Sequence, residues 1–105
     1  MEQNLPVKVL LFNNRTLGMV RQLQYHYVGK RYSNVLFTAD IDFSKIFEAY
    51  GFNTYRINSE EEIEEALNAA LADPKCVLIE CTVPMEDNCS PITLAGADID
   101  DMVEC

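Results

Sequence analysis

The sequence predicts an α/β protein: a small sheet of three parallel strands with flanking helices. Three observations predict it. Three short apolar runs, VKVLLFN (7–13), TYRIN (54–58) and CVLIECTV (76–83), have the length of strands. Apolar residues at three- and four-residue spacing fill the intervals between them. One interval opens with an S-x-x-E pair and closes just before a proline, the start and stop signals of a helix. Strands alternating with helices imply parallel pairing and right-handed crossovers.

Taken in order, the first run is near-continuous in Val, Leu and Phe, as a strand covered on both faces would be. Leu17, Val20, Leu23, Tyr27 and Val28 then share one helical face. Residues 29–40 are irregular, with Lys30-Arg31 read as a solvated loop or as part of a mobile segment near a site. Phe43, Ile46, Phe47 and Tyr50 repeat the helical spacing, and Gly51 is placed to end that helix. The run at 54–58 alternates only weakly and reads as an edge strand. Ser59 and Glu62 then form the capping box, ahead of the stripe Ile63, Ala66, Leu67, Ala70 and Leu71, with Pro74 beyond it. The glutamates between are a solvated face and a favourable charge at a helix N-terminus. The run at 76–83 is again near-continuous. Residues 84–105 form an acidic tail whose DIDDMV is expected to make one short closing helix.

The chain has 105 residues, room for a single small domain and one modest core. Its net charge of −9, from 17 acids against 8 bases, argues against sequence-independent nucleic-acid binding and against an anionic membrane. No apolar run reaches the ~18 residues of a membrane span. Glu2, Asn4 and Lys8 interrupt any leader-like stretch. The four cysteines, Cys76, Cys81, Cys89 and Cys105, with His26 as the one histidine, have no zinc spacing. Cys76 and Cys81 are expected as buried small hydrophobes, and His26 as a surface or interface residue. These features together predict a reduced, cytoplasmic protein.

The residues that carry chemistry are fewer. In an open parallel sheet, ligands bind beyond the carboxyl ends of the strands, and Asn13-Asn14 stand at such an end. An asparagine oxygen is a hard, neutral ligand suited to Mg²⁺ or Ca²⁺ where phosphates bring the charge. The helix that follows offers N–H groups to phosphate, and Gly18 keeps a side chain out of the way. From spacing alone two readings stay open: a metal–diphosphate site, or amides that cap a turn.

The stretch NLPVKVLLFNNRTLGMVRQ resembles the carboxyl-terminal part of acetolactate synthase (acetohydroxyacid synthase). The likeness continues through KRYS, DFSKIFEAYGFNTYRINSEEEIEEALNAAL, CVLIECTV and GADIDDMV, in the family's order and over nearly the whole chain. NN-x-x-LGMV is fairly specific to this group. The resemblance implies the carboxyl-terminal half of a thiamine-diphosphate-binding domain, with strand order 1-3-2. It implies thiamine diphosphate and Mg²⁺ as cofactors of the parent enzyme. Asn14 would be a side-chain ligand of Mg²⁺ and Thr16 a backbone one. Leu17, Gly18 and Met19 would line the cofactor, and Val20 and Leu23 would border the substrate channel. The family decarboxylates pyruvate and joins the two-carbon unit to a second 2-oxo acid, in branched-chain amino acid or acetoin pathways.

Two departures matter. The family's Mg²⁺ motif begins Gly-Asp-Gly, roughly 25–30 residues before Asn-Asn by the resemblance, and no Gly-Asp-Gly occurs here. Leu23 stands where members commonly have tryptophan. The chain thus reads as a piece of the enzyme, residues 1–105 forming one partial domain that is inactive and without measurable cofactor affinity alone. Its expected partner is the remainder of the enzyme or a second copy, in a homo-oligomer that pairs the exposed first strand. The alternative is a stand-alone α/β interaction module with the same half-domain fold.

Overall fold

The computed structural model describes residues 5–104; Glu2, Asn4 and Cys105 lie outside the described residues. The elements are β1 (Lys8–Asn13), α1 (Gly18–Tyr27), α2 (Phe43–Ala49), β2 (Asn53–Ile57), α3 (Ile63–Ala72) and β3 (Val77–Thr82), with a single 3-10 turn, Glu60–Glu62, ahead of α3. The three strands are parallel and their order is β1-β3-β2, as expected. β2 is an edge strand, as its weak alternation suggests. β3 is central because Val77, Leu78 and Ile79 can be buried on both faces at once, and all three are at most 3% exposed.

The chain divides into two compact units. The first holds the sequence up to Asn14 together with Ala39–Val83, and so contains the whole sheet with α2 and α3. The register sets Leu10 and Tyr55 on either side of Ile79, and Phe12 and Ile57 on either side of Cys81. The face made by these residues carries α3: Ile57, Ala70, Val77 and Ile79 form the core, with Tyr55, Ala66, Leu67 and Cys81 packed around it. The capping box of Ser59 and Glu62 forms as expected, with the Glu62 carboxylate accepting from the N–H groups of Asn58 (2.8 Å) and Ser59 (3.3 Å). It opens the 3-10 turn that leads into α3. At the other end of the helix the Asp73 carboxylate accepts from Asn53 Nδ2 (2.6 Å), the Lys75 N–H (2.9 Å) and Tyr55 Oη (3.3 Å). These bonds, that from Asn53 foremost, hold its pKa below the ordinary carboxylate value.

Three expectations in this unit need correction. Leu71 is 69% exposed, because at about 100° per residue it stands ~80° from Ile63, at the margin of a stripe centred on Ala70. Cys76 and Cys81 are half-buried rather than buried; Cys76 Sγ points at the Leu5 carbonyl (3.1 Å), and Cys81 is at the rim of the core. β1 is covered less than its composition suggests, with Leu10 47% and Phe12 63% exposed. On the opposite face of the sheet α2 is capped by Asp42, whose carboxylate accepts from the Lys45 N–H at 3.1 Å. The helix ends where expected, at a left-handed Gly51 (φ +83°) whose N–H reaches the Glu48 carbonyl.

The second unit holds Arg15–Thr38 and the chain from Pro84 onward. α1 forms where the periodicity places it, but its apolar stripe is not the buried side. Leu17, Val20, Leu23, Tyr27 and Val28 are all exposed, while Arg21 and Gln22 are buried. The Gln22 carboxamide exchanges two hydrogen bonds with the Cys89 backbone (2.7 and 3.0 Å). Arg21 lies over the Tyr32 ring at 4.7 Å, and Tyr27 Oη accepts from the Ala95 N–H at 2.7 Å. The acidic stretch is thus fastened to α1 rather than trailing. DIDDMV makes no helix: turns occupy it, and Val103 pairs antiparallel with Ile92 (2.9 Å in both directions). Backbone bonds between chain segments satisfy these polar groups instead, and the Asp98 carboxylate accepts from the Ile99 N–H at 2.8 Å. His26 is half-buried, edge-on to Tyr25 at 5.0 Å. Lys30 and Arg31 sit in an exposed turn. Among the described residues no helix is long and apolar enough to cross a membrane.

Candidate functional site

The chemistry-bearing stretch runs from the end of β1 to the second turn of α1. Asn13 ends β1 and is tied twice to β3. Its carbonyl accepts from the Val83 N–H (3.2 Å), and its side-chain Nδ2 donates to Glu80 Oε1 (2.8 Å). Asn14, half-buried, closes the first unit. Arg15 then adopts a left-handed backbone (φ +54°), uncommon for a residue with a side chain.

Thr16 and Leu17 belong to the second unit and are held by Val35, itself 2% exposed. The Val35 carbonyl accepts from Thr16 Oγ1 (2.7 Å) and from the Leu17 N–H (2.9 Å), and the Arg15 carbonyl accepts from the Phe37 N–H (3.1 Å). These backbone bonds flank an antiparallel bridge of Thr16 with Leu36. In that arrangement the bridging residue's own N–H and C=O point away from the partner segment. The Thr16 carbonyl is therefore directed away from residues 35–37, as a backbone metal ligand would have to be.

Gly18 is the first residue of α1, with no left-handed backbone to explain it; the missing side chain is its contribution. The first helical bond runs from the Arg21 N–H to the Leu17 carbonyl (2.9 Å), and Leu17 supplies no side-chain cap. At about 100° per residue, Gly18, Arg21 and Gln22 share one side of α1, and Met19, Leu23 and Val20 the other. Met19 is 52%, Val20 44% and Leu23 42% exposed. Of the residues expected to line a cofactor and a channel, Met19, Val20 and Leu23 share an exposed apolar arc, and Gly18 lies on the other side of α1.

Reading the sequence missed Glu80. It lies in the middle of the central strand, 8% exposed. Its Oε2 is 3.4 Å from Ser44 Oγ and 3.4 Å from Arg56 Nε. Ser44 Oγ also accepts from Arg56 Nε (3.1 Å), and Arg56 pairs with Asp42 at 2.8 Å. The backbone bond from Lys45 foremost, helped by the Arg56 and Lys45 charges, draws the Asp42 pKa below the ordinary carboxylate value. The signal was available: an acid within VLIECTV needs partners, since a buried charge left unpaired is costly. Asn13 is the partner at the candidate site.

On the α3 face of the sheet, Leu10, Phe12, Ile57, Ile63, Leu67 and Cys81 line an open apolar groove of about 540 Å³. Burial raises the Cys81 thiol pKa above its ordinary value. Among the described residues no three His, Cys, Asp or Glu side chains come together to hold a metal. Asn14 and the Thr16 carbonyl offer two neutral oxygens, a set that suits Mg²⁺ only where phosphates and other residues bring the negative charge.

The family model of the thiamine pyrophosphate enzyme C-terminal TPP-binding domain matches residues 1–81. The chain is 40% identical over 96 residues to the acetolactate synthase large subunit of Pyropia yezoensis, an alignment that covers 90% of this chain and 16% of that protein. It is 49% identical over 70 residues to a probable acetolactate synthase large subunit of Methanococcus aeolicus, covering 67% of this chain and 12% of that protein. With the isozyme 2 large subunit of Escherichia coli K12 the identity is 31% over 102 residues, 97% of this chain and 19% of that protein. The chain therefore spans less than a fifth of the length of each of these relatives.

Proposed function

From a chain that belongs to the family of thiamine pyrophosphate enzyme C-terminal TPP-binding domains, we propose the following role. The chain supplies the carboxyl-terminal part of the cofactor pocket of an acetolactate synthase large subunit. It works with the remainder of a longer chain and is inactive alone. Asn14 offers its side-chain oxygen, and Thr16 its carbonyl, to a Mg²⁺ bound with the diphosphate. Leu17, Gly18 and Met19 border the thiamine, and Val20 and Leu23 border the path of the 2-oxo acids. Thiamine diphosphate, when bound, supplies the electron sink for decarboxylating pyruvate and joining its two-carbon unit to a second 2-oxo acid.

The chain's own residues bind and orient. Asn14 and Thr16 flank the left-handed Arg15 just after the end of β1. The α1 N-terminus adds N–H groups that favour a phosphate. The uncovered arc of Met19, Val20 and Leu23 offers an apolar wall that keeps water from the reacting carbons. Leu23 makes that wall narrower than an indole would and bears on the choice of acceptor. The outer edge of β1, where the backbone groups of Lys8, Leu10 and Phe12 point away from β3, is where a longer chain would continue the sheet.

The observation that carries this reading is the local geometry of NN-x-x-LGMV: a half-buried strand end, a left-handed residue after it, an outward Thr16 carbonyl and a helix opening with its apolar arc exposed. The test grafts this segment into a relative's large subunit. Asn14→Ala should raise the Mg²⁺ concentration for half-maximal cofactor binding about 10-fold or more, a loss of ~1.4 kcal/mol or more. An unchanged Mg²⁺ requirement would remove Asn14 from the ligand set.

A further inference from the structure

A carboxylate inside a central strand must have both oxygens satisfied, and the partners of Glu80 show how its two oxygens are divided. Oε2 is braced: Ser44 on α2 and Arg56 on β2 both approach it at 3.4 Å. Arg56 is itself held by Asp42 at 2.8 Å, and Asp42 is fixed as the cap of α2. Oε1 accepts from the Asn13 amide at 2.8 Å, a charge-assisted bond stronger than one between neutral groups. Asn13 is also fastened through its main chain to Val83. All of these residues lie in the first unit, whose first segment ends at Asn14, the residue after β1.

A residue anchored through both main chain and side chain leaves little freedom to the one that follows. We propose that Glu80 is a positioning residue for Asn14: acting through the Asn13 amide, it fixes the end of β1 and so the direction in which the Asn14 oxygen is offered. The inference rests on the reading of Asn14 as a metal ligand. It explains why an acidic side chain is kept in the middle of the most buried strand. It also separates the work of the two asparagines: Asn13 anchors, and Asn14 presents.

The first test uses the 105-residue chain. Nuclear spin relaxation should give the Asn14 backbone N–H an order parameter near about 0.85, falling to about 0.6 or below in Asn13→Ala and in Glu80→Ala. The double variant should fall no further, because both changes break one bond. Glu80→Gln keeps an acceptor for Asn13 and should retain most of the rigidity. Should Glu80→Ala fail to fold, Asn13→Ala carries the test, since it leaves Glu80 with Ser44 and Arg56. A rigid Asn14 in Asn13→Ala overturns the proposal, as do losses that add in the double variant.

The second test uses the grafted large subunit. Asn13→Ala should raise the Mg²⁺ half-saturation about 10-fold, as loss of a group that orients a ligand does. If Asn14→Ala raises that requirement and Asn13→Ala does not, positioning through Asn13 is wrong. If Asn14→Ala has no effect, the metal reading fails instead.

Discussion

α1 and α3 are both ten residues long, and both carry apolar residues at helical spacing. They use them oppositely. α3 turns its stripe to the sheet: Ala70 is fully buried, and Ala66 and Leu67 pack on the same core. α1 leaves its stripe exposed and is held from its polar side, by Gln22 on the Cys89 backbone and by Arg21 over Tyr32. Periodicity reports which residues share a face; it does not report whether the chain at hand covers that face. An apolar face left uncovered marks a surface meant for something else, and here it includes Met19, Val20 and Leu23.

The comparison can be broken most sharply at Gln22. Gln22→Ala removes both bonds to Cys89 and leaves its N–H and carbonyl without their partner, at a cost of about 2 kcal/mol. The urea midpoint of the second unit should fall accordingly, and a change below ~0.5 kcal/mol would mean that α1 is held by something other than its polar side. Next comes the helix that the sequence announces. Ser59→Ala should destabilise by about 1 kcal/mol, with Ser59→Asp close to the parent, because aspartate also caps. Equal losses in the two variants would place the effect outside the capping box. The smallest change should follow Val20→Ser combined with Leu23→Ser. These face solvent in the isolated chain, so stability should stay within ~0.5 kcal/mol of the parent. A loss well above that would show that the arc is covered after all.

Much of the site was legible because its signals are local. A strand end in Asn13-Asn14, a glycine opening a helix and apolar residues behind it lie within eleven consecutive residues, 13 to 23. Glu80 was not legible as a partner of Asn13, because 67 residues separate them and only the β1–β3 pairing joins them. Nor was the left-handed Arg15, which carries no glycine or asparagine signal of its own. The short helix expected at DIDDMV failed for a related reason. The pairing of Val103 with Ile92 supplied backbone bonds that local propensity could not anticipate.

By itself, the sequence determined the class of fold, the strand order that its resemblance implied, the capping box at Ser59 and the family to which the chain belongs. Each rests on side-chain chemistry repeated at short spacing, which survives without knowledge of the neighbours. Tertiary structure alone decided which face of α1 is buried, how residues 84–104 are fastened, and that a carboxylate in β3 holds the asparagine beside the candidate ligand. Those outcomes depend on hydrogen bonds between residues far apart in the chain, and the burial of a polar group is favourable only when such a distant partner arrives.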